Sequence, residues 1–130
     1  MGAIAAKALQ KRGASDIVVA NRTFANAAEL AENDEYLTII DAIAQEQVWF
    51  DGGADNDPPG DCPLPRTDAE VDTYAYRKGL SPACLRQYDE SPDSTLHVSS
   101  EEYLSYLIPA RDKGVIIFSV DYALEPENVS

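Results

Sequence analysis

Glu46 and Asp121 are the carboxylates whose settings suit bond-cleaving chemistry. Each closes a short apolar run, Ile39 to Glu46 and Val115 to Asp121, and Asn21 closes a third, Asp16 to Asn21. A polar residue at the end of one apolar strand is ordinary punctuation. Three in one chain, with a long loop directly after Glu46, point to a site, because parallel α/β enzymes carry their chemistry where strands meet the following loops. Two carboxyl groups suffice for glycoside hydrolysis. One protonates the leaving oxygen and the other acts as nucleophile or base, about 5–5.5 Å away when configuration is retained. Trp49 and Phe50 follow Glu46 after two residues. Aromatic rings there would supply a stacking platform for a sugar and the desolvation that raises an acid's pKa. Ordinary packing beneath the loop explains the two rings equally well.

The elements that must position these groups alternate. Residues 3–12 place Ile4, Ala5, Ala8 and Leu9 on one helical face, and Gly13 stands where a C-terminal cap is wanted. The run at 16–21 is too short for a helix and reads as a strand buried on both faces. A short helix follows at about 26–33, and 39–46 is a second buried strand. From Asp51 to Arg66 the sequence is turn chemistry throughout, and Thr67 with Glu70 forms a capping box for a helix to about Lys78. Ser81 to Leu96 reads as irregular, with a turn of helix around Ala83 to Tyr88. Ser99 and Glu102 open a helix over 100–112 with Tyr103, Leu104, Leu107 and Ile108 inward, bent at Pro109 and ended by Gly114. The run at 115–121 is the clearest strand. Helices alternating with apolar strands predict an α/β fold with a parallel sheet and flanking helices, either doubly wound or a fragment of a (β/α)8 barrel, with a long loop insertion at about 51–98.

Composition narrows the partners. Ten basic against 23 acidic residues give a net charge of −13, which disfavours nucleic acid and anionic membrane and favours a cationic ligand such as an amino sugar. A solvated acidic surface is the plainer account of the same charge. No apolar run approaches the roughly 20 residues that a membrane helix needs, and the first residues lack the order of a signal peptide. Cys62 and Cys84 lie in a Pro- and Asp-rich stretch with little core of its own, which favours a disulfide and an oxidising compartment, with two free structural thiols the close alternative. His97 is the only histidine and no C-x-x-C occurs, so neither a zinc site nor another metal or cofactor is expected.

Four segments carry a resemblance. N-A-A-E-L-A-E-N at 26–33, D-A-I-A-Q-E-Q-V-W-F-D-G at 41–52, S-S-E-E-Y-L at 99–104 and V-I-I-F-S-V-D-Y-A-L-E-P-E-N-V at 115–129 resemble the later part of glycoside hydrolase family 114, the α-1,4-polygalactosaminidases. The likeness spans most of residues 20–130. It implies a (β/α)8 barrel and a retaining endo-hydrolase of galactosamine-containing α-1,4 polymers that uses an Asp–Glu pair, and the expected disulfide adds an extracellular or secreted setting. Glu46 matches the glutamate, and the partner aspartate is expected on an earlier strand outside this chain, so activity of the chain alone is expected to be low. Asp121 is the second catalytic candidate, and Asn21, Trp49, Phe50 and Tyr122 are expected to meet substrate. Residues 2–23 also resemble the first helix and second strand of the dinucleotide fold of glutamyl-tRNA reductases, without a Gly-rich turn or an acidic ribose ligand. V-D-Y-A-L-E-P-E resembles a strand of hormone-sensitive-lipase-like esterases, but neither G-x-S-x-G nor H-G-G-G is present. A non-catalytic α/β module is the remaining alternative.

Overall fold

The computed structural model describes residues 18–21, 33–52, 61–123 and 125–128. The helix expected at 3–12 and all but Asn33 of the one at 26–33 lie outside the described residues. Five strands and four helices are described: β1 (Val18–Asn21), α1 (Asp34–Leu37), β2 (Ala42–Glu46), β3 (Phe50–Asp51), β4 (Cys62–Pro63), α2 (Tyr74–Gly79), α3 (Pro82–Glu90), α4 (Ser100–Asp112) and β5 (Ile116–Val120). The chain divides into two compact units, Met1–Glu46 with Tyr103–Val120, and Gln47–Glu102 with Asp121–Ser130.

The first unit is built on a three-stranded sheet in the order β1-β2-β5, with both pairings parallel. The three apolar runs read as strands therefore form one parallel sheet. In register, Ala42, Ala44 and Glu46 of β2 stand beside Ile116, Phe118 and Val120 of β5, while Ile43 and Gln45 stand beside Ile117 and Ser119. Exposure differs by strand: Ala42, Ile43 and Gln45 of β2 are buried, whereas Ile116, Phe118 and Val120 of β5, which ends the strand order of the described sheet, are 57%, 51% and 44% exposed.

The inward stripe of α4 is Tyr103, Tyr106, Leu107 and Ala110. It is rotated from the expected Tyr103, Leu104, Leu107 and Ile108: Leu104 is half-buried and Ile108 exposed. The observed set has the i, i+3, i+4, i+7 spacing of one helical face, which the expected set, at i, i+1, i+4 and i+5, does not. The helix runs through Pro109. Ser99 caps it as the sequence indicates, its hydroxyl accepting the Glu102 N–H at 2.9 Å. Gly114 follows at φ +98°, a conformation that glycine alone adopts without cost, and turns the chain into β5.

The second unit has its own core of Val48, Cys62, Leu64, Leu80, Cys84 and Leu96. It fills the stretch expected to be a long irregular loop. β3 and β4 pair antiparallel, Phe50 with Pro63 and Asp51 with Cys62, and the Cys62–Cys84 disulfide joins β4 to α3. The turn of helix expected around Ala83 to Tyr88 is α3, longer than expected at nine residues within a stretch otherwise read as irregular, with Pro82 in its first turn and the Ser81 hydroxyl accepting the Cys84 N–H. The helix expected from Thr67 is also displaced. Asp68–Glu70 is a 3-10 turn, and the chain then leaves helical geometry at Val71 (ψ 129°) and Asp72 (φ 56°), so α2 starts at Tyr74 with Thr73 as its cap. Glu70 accepts the backbone N–H of Arg66 at 2.8 Å in place of the expected capping-box bond.

Candidate functional site

A cleft of about 630 Å³ lies within the second unit and is lined in part by Trp49, Phe50, Leu64, Arg66, Asp121 and Glu127. This volume is within the range of small-molecule sites, about 300–1,000 Å³. Each wall has a local cause. Asp121 Oδ1 accepts the backbone N–H groups of Trp49 at 2.7 Å and Phe50 at 2.9 Å. The Trp49 carbonyl accepts the Leu64 N–H at 3.0 Å, and Ser100 donates to the Val48 carbonyl at 2.7 Å. The aromatic pair is thus fixed through its backbone while the indole of Trp49 stays open to solvent at 40% exposure.

The opposite wall hangs on Asp61, itself at φ 61°. Its N–H donates to the Tyr122 carbonyl at 2.8 Å. Its carboxylate accepts the Glu125 N–H and the Asn128 side-chain amide at 3.0–3.2 Å, which holds the 3-10 turn Pro126–Asn128 against the β4 segment. Beneath the aromatic pair lies a buried polar network. Gln47, at φ 59°, donates from Nε2 to Asp51 Oδ1 at 2.7 Å and to the Gly52 carbonyl at 3.0 Å, and Ser94 donates to Asp51 Oδ2 at 2.9 Å.

The cleft gathers three of the six residues expected to act, Trp49, Phe50 and Asp121. Tyr122 belongs to the same unit and contributes its carbonyl to the Asp61 clasp, but it does not line the cleft. Glu46 ends β2 in the sheet unit, half-buried, on the face shared with Phe118 and Val120. Asn21 is registered with Gln45, one step out of phase with Glu46. Arg66, Glu127 and Asn128 were not singled out from sequence. Pro126 marks a local helical start, but nothing in the sequence shows that Asp61, 64 positions away from Glu125, ties that turn down.

His97 is held by packing and hydrogen bonds. Its Nδ1 faces Asp72 Oδ1 at 2.7 Å, its Nε2 faces the Tyr88 carbonyl at 3.1 Å, and its ring stacks on Tyr88 at 4.2 Å. Both nitrogens face acceptors, so neither is available to act as a general base. Asp72 also accepts the Tyr88 hydroxyl at 2.8 Å. The bonds from His97 and then Tyr88 hold the Asp72 carboxyl below its ordinary value of 3.8. A depressed carboxyl pKa contributes stability that is present above about pH 4 and lost as pH falls through the folded value. The group is exposed, so the contribution is at most about 1 kcal/mol. Thermal melting between pH 5 and pH 2 is therefore expected to show a shallower acid decline for Asp72→Asn than for the parent. Equal slopes would rule the clasp out as a source of acid sensitivity.

No protein-family model, no curated protein and no solved structure matches the chain. Among the described residues no three His, Cys, Asp or Glu side chains are grouped to hold a metal ion, and no helix is long and apolar enough to cross a membrane.

Proposed function

We propose that this chain is a carbohydrate-active α/β domain, part of a (β/α)8 barrel glycoside hydrolase of the family 114 type, and that the Trp49 cleft binds an α-1,4-linked galactosamine-containing polysaccharide. The observation that carries this reading is an indole fixed through its backbone yet left open in a cavity that also holds carboxylates. Aromatic faces stack on the apolar faces of sugar rings, and carboxylates attract an amino sugar's ammonium. The three parallel strands in chain order support the barrel, and the Cys62–Cys84 bridge supports a secreted protein.

Glu46 is the proposed proton donor or nucleophile in a complete hydrolase. Asp121 has a different proposed part. With Oδ1 accepting two backbone N–H groups it positions Trp49 and Phe50, which favours a second reading of the chain as a saccharide-binding module without hydrolysis.

Trp49 is the only tryptophan, so its fluorescence reports the cleft directly. Titration with α-1,4-galactosamine oligomers is expected to shift that emission saturably, and Phe50→Ala to weaken the response about tenfold or more. An unchanged emission at millimolar oligomer would end the carbohydrate reading. Hydrolysis that is lost on Glu46→Gln would favour the hydrolase, and binding without hydrolysis the module.

A further inference from the structure

β5 ends the strand order of the described sheet with its apolar side chains open to solvent. Ile116, Phe118 and Val120 are three of the six large hydrophobic side chains exposed among the described residues, and their alternate spacing puts them on one face of the strand. Their backbone is turned inward. The Ile116 N–H donates to the Asp41 carbonyl at 3.0 Å, and Phe118 and Val120 are in phase with it beside β2. Ile117, out of phase, turns its N–H and carbonyl to the outer side. Edge strands that stay single are blunted by a charge, a proline or a bulge. Ile116–Val120 contains no charged residue, no proline and no glycine. An apolar row and an unprotected edge therefore coincide on one strand.

We infer that this row is an interface for a second copy of the chain, with two β5 strands lying antiparallel across a two-fold axis at Phe118. The strand's own pattern selects that partner. About Phe118 the row is self-complementary: Phe118 meets the partner's Phe118, and Ile116 meets the partner's Val120. Because these residues direct their backbone to β2, they form the non-hydrogen-bonded pairs of the new ladder, whose Cα atoms are about 4.5 Å apart and whose side chains come closest. An aromatic pair with β-branched diagonal neighbours is favourable there. An axis perpendicular to the sheet also keeps both rows on one face, whereas an axis along the strands pairs them parallel and puts the rows on opposite faces. Charge agrees with the antiparallel choice. Lys113 precedes the strand and Asp121 follows it, so antiparallel copies bring unlike charges together at each end and parallel copies bring like charges together. The contact is small beside the roughly 800 Å² per partner of a stable interface, so a dissociation constant on the order of 100 μM is expected. The inference does not depend on the carbohydrate reading of the cleft.

The test is sedimentation equilibrium of the whole chain from about 5 μM to about 1 mM. The parent is expected to pass from monomer to dimer over that range. Phe118→Lys is expected to stay monomeric throughout, since it sets two like charges opposite each other at the axis. Val120→Lys, at the end of the row, should weaken association about tenfold. Both positions are exposed, and circular dichroism checks that the variants keep their fold. Crosslinking reads the register. Cys62 and Cys84 are bonded to each other, so Phe118→Cys adds the only free thiol. Its Cα spacing across the axis is one that a disulfide spans, and mild oxidation is expected to give a covalent dimer. Ile116→Cys is expected to crosslink to Val120→Cys in a mixture and not to itself. A parent that stays monomeric at the highest concentration, or a dimer left intact by Phe118→Lys and Val120→Lys, would overturn the interface. A dimer lost in those variants but not crosslinked through Phe118→Cys would overturn the two-fold pairing at Phe118.

Discussion

Replacing Cys62 and Cys84 by serine is expected to lower the stability of the second unit by about 3 kcal/mol, and to weaken saccharide binding beyond what the lost stability explains. The bridge closes a loop of 22 residues, for which the loss of chain entropy in the unfolded state gives about that figure. Both cysteines are almost fully buried, so the substitution also removes packing. The second effect follows from where the bridge sits. β4 is two residues long and supplies Pro63 to the cleft, with Leu64 and Arg66 directly after it. Apart from the bridge, the segment is held by its short pairing with β3, the bond from Leu64 to Trp49 and the Tyr76 hydroxyl, which donates to the Pro63 carbonyl at 2.7 Å. Burial pushes the Tyr76 phenol pKa upward, so this last donor keeps its proton across the working pH range. Urea denaturation of parent and double mutant, with and without reductant, measures the first effect. Trp49 titration under conditions where both remain folded measures the second. A denaturation midpoint unmoved by reductant or by the double substitution would overturn the first effect, and equal affinity in parent and double mutant the second.

The parallel sheet was legible because its cause is local and repeated. Three uninterrupted apolar runs, each too short for a helix, have few uses other than strands of a parallel sheet, although the burial expected on both faces is not met in β5, where Ile116, Phe118 and Val120 are exposed. The start of α4 was legible for the same reason, since Ser99 and Glu102 lie one turn apart and the cap is made between them. The second unit was not, because its order comes from contacts distant in sequence. Asp61 reaches Glu125 and Asn128, Asp121 reaches Trp49 and Phe50, and Ser94 reaches Asp51. A stretch dense in Asp, Pro and Gly reads as loop by every local rule, yet here the aspartates accept the backbone and side-chain donors that join one loop to another. The candidate site was half legible on the same grounds. Trp49 and Phe50 stand out beside Glu46 in the sequence. Asp121 lines the cleft and accepts two backbone N–H groups there, partners that cannot be read from its position at the end of a strand.

The network around Asp51 carries the other large expected effect. Asp51 is 4% exposed, and each of its carboxylate oxygens accepts a bond from a buried donor, Gln47 Nε2 and Ser94 Oγ. Asp51→Ala removes both acceptors and leaves an amide and a hydroxyl buried beside a new void. Unmet buried donors cost about 1–3 kcal/mol each, with relaxation recovering part, so a loss of about 3 kcal/mol is expected. Asp51→Asn keeps one acceptor and turns the other into a donor that faces a donor, for an expected loss of about 1–2 kcal/mol. The order of the two variants is the informative part. A site that needed only volume would tolerate Asn fully, and one that needed only charge would treat Asn and Ala alike. Asp51 also fixes Gln47, whose left-handed backbone is costly for a residue with a Cβ and stands directly after Glu46. Loss of the network should therefore loosen the turn that carries Trp49, with the indole emission shifting to the red before global unfolding begins. Melting of both variants, followed at the same time by far-ultraviolet circular dichroism and by Trp49 fluorescence, distinguishes the outcomes. A melting temperature for Asp51→Ala within a degree of the parent would show that the buried network contributes nothing to holding the turn.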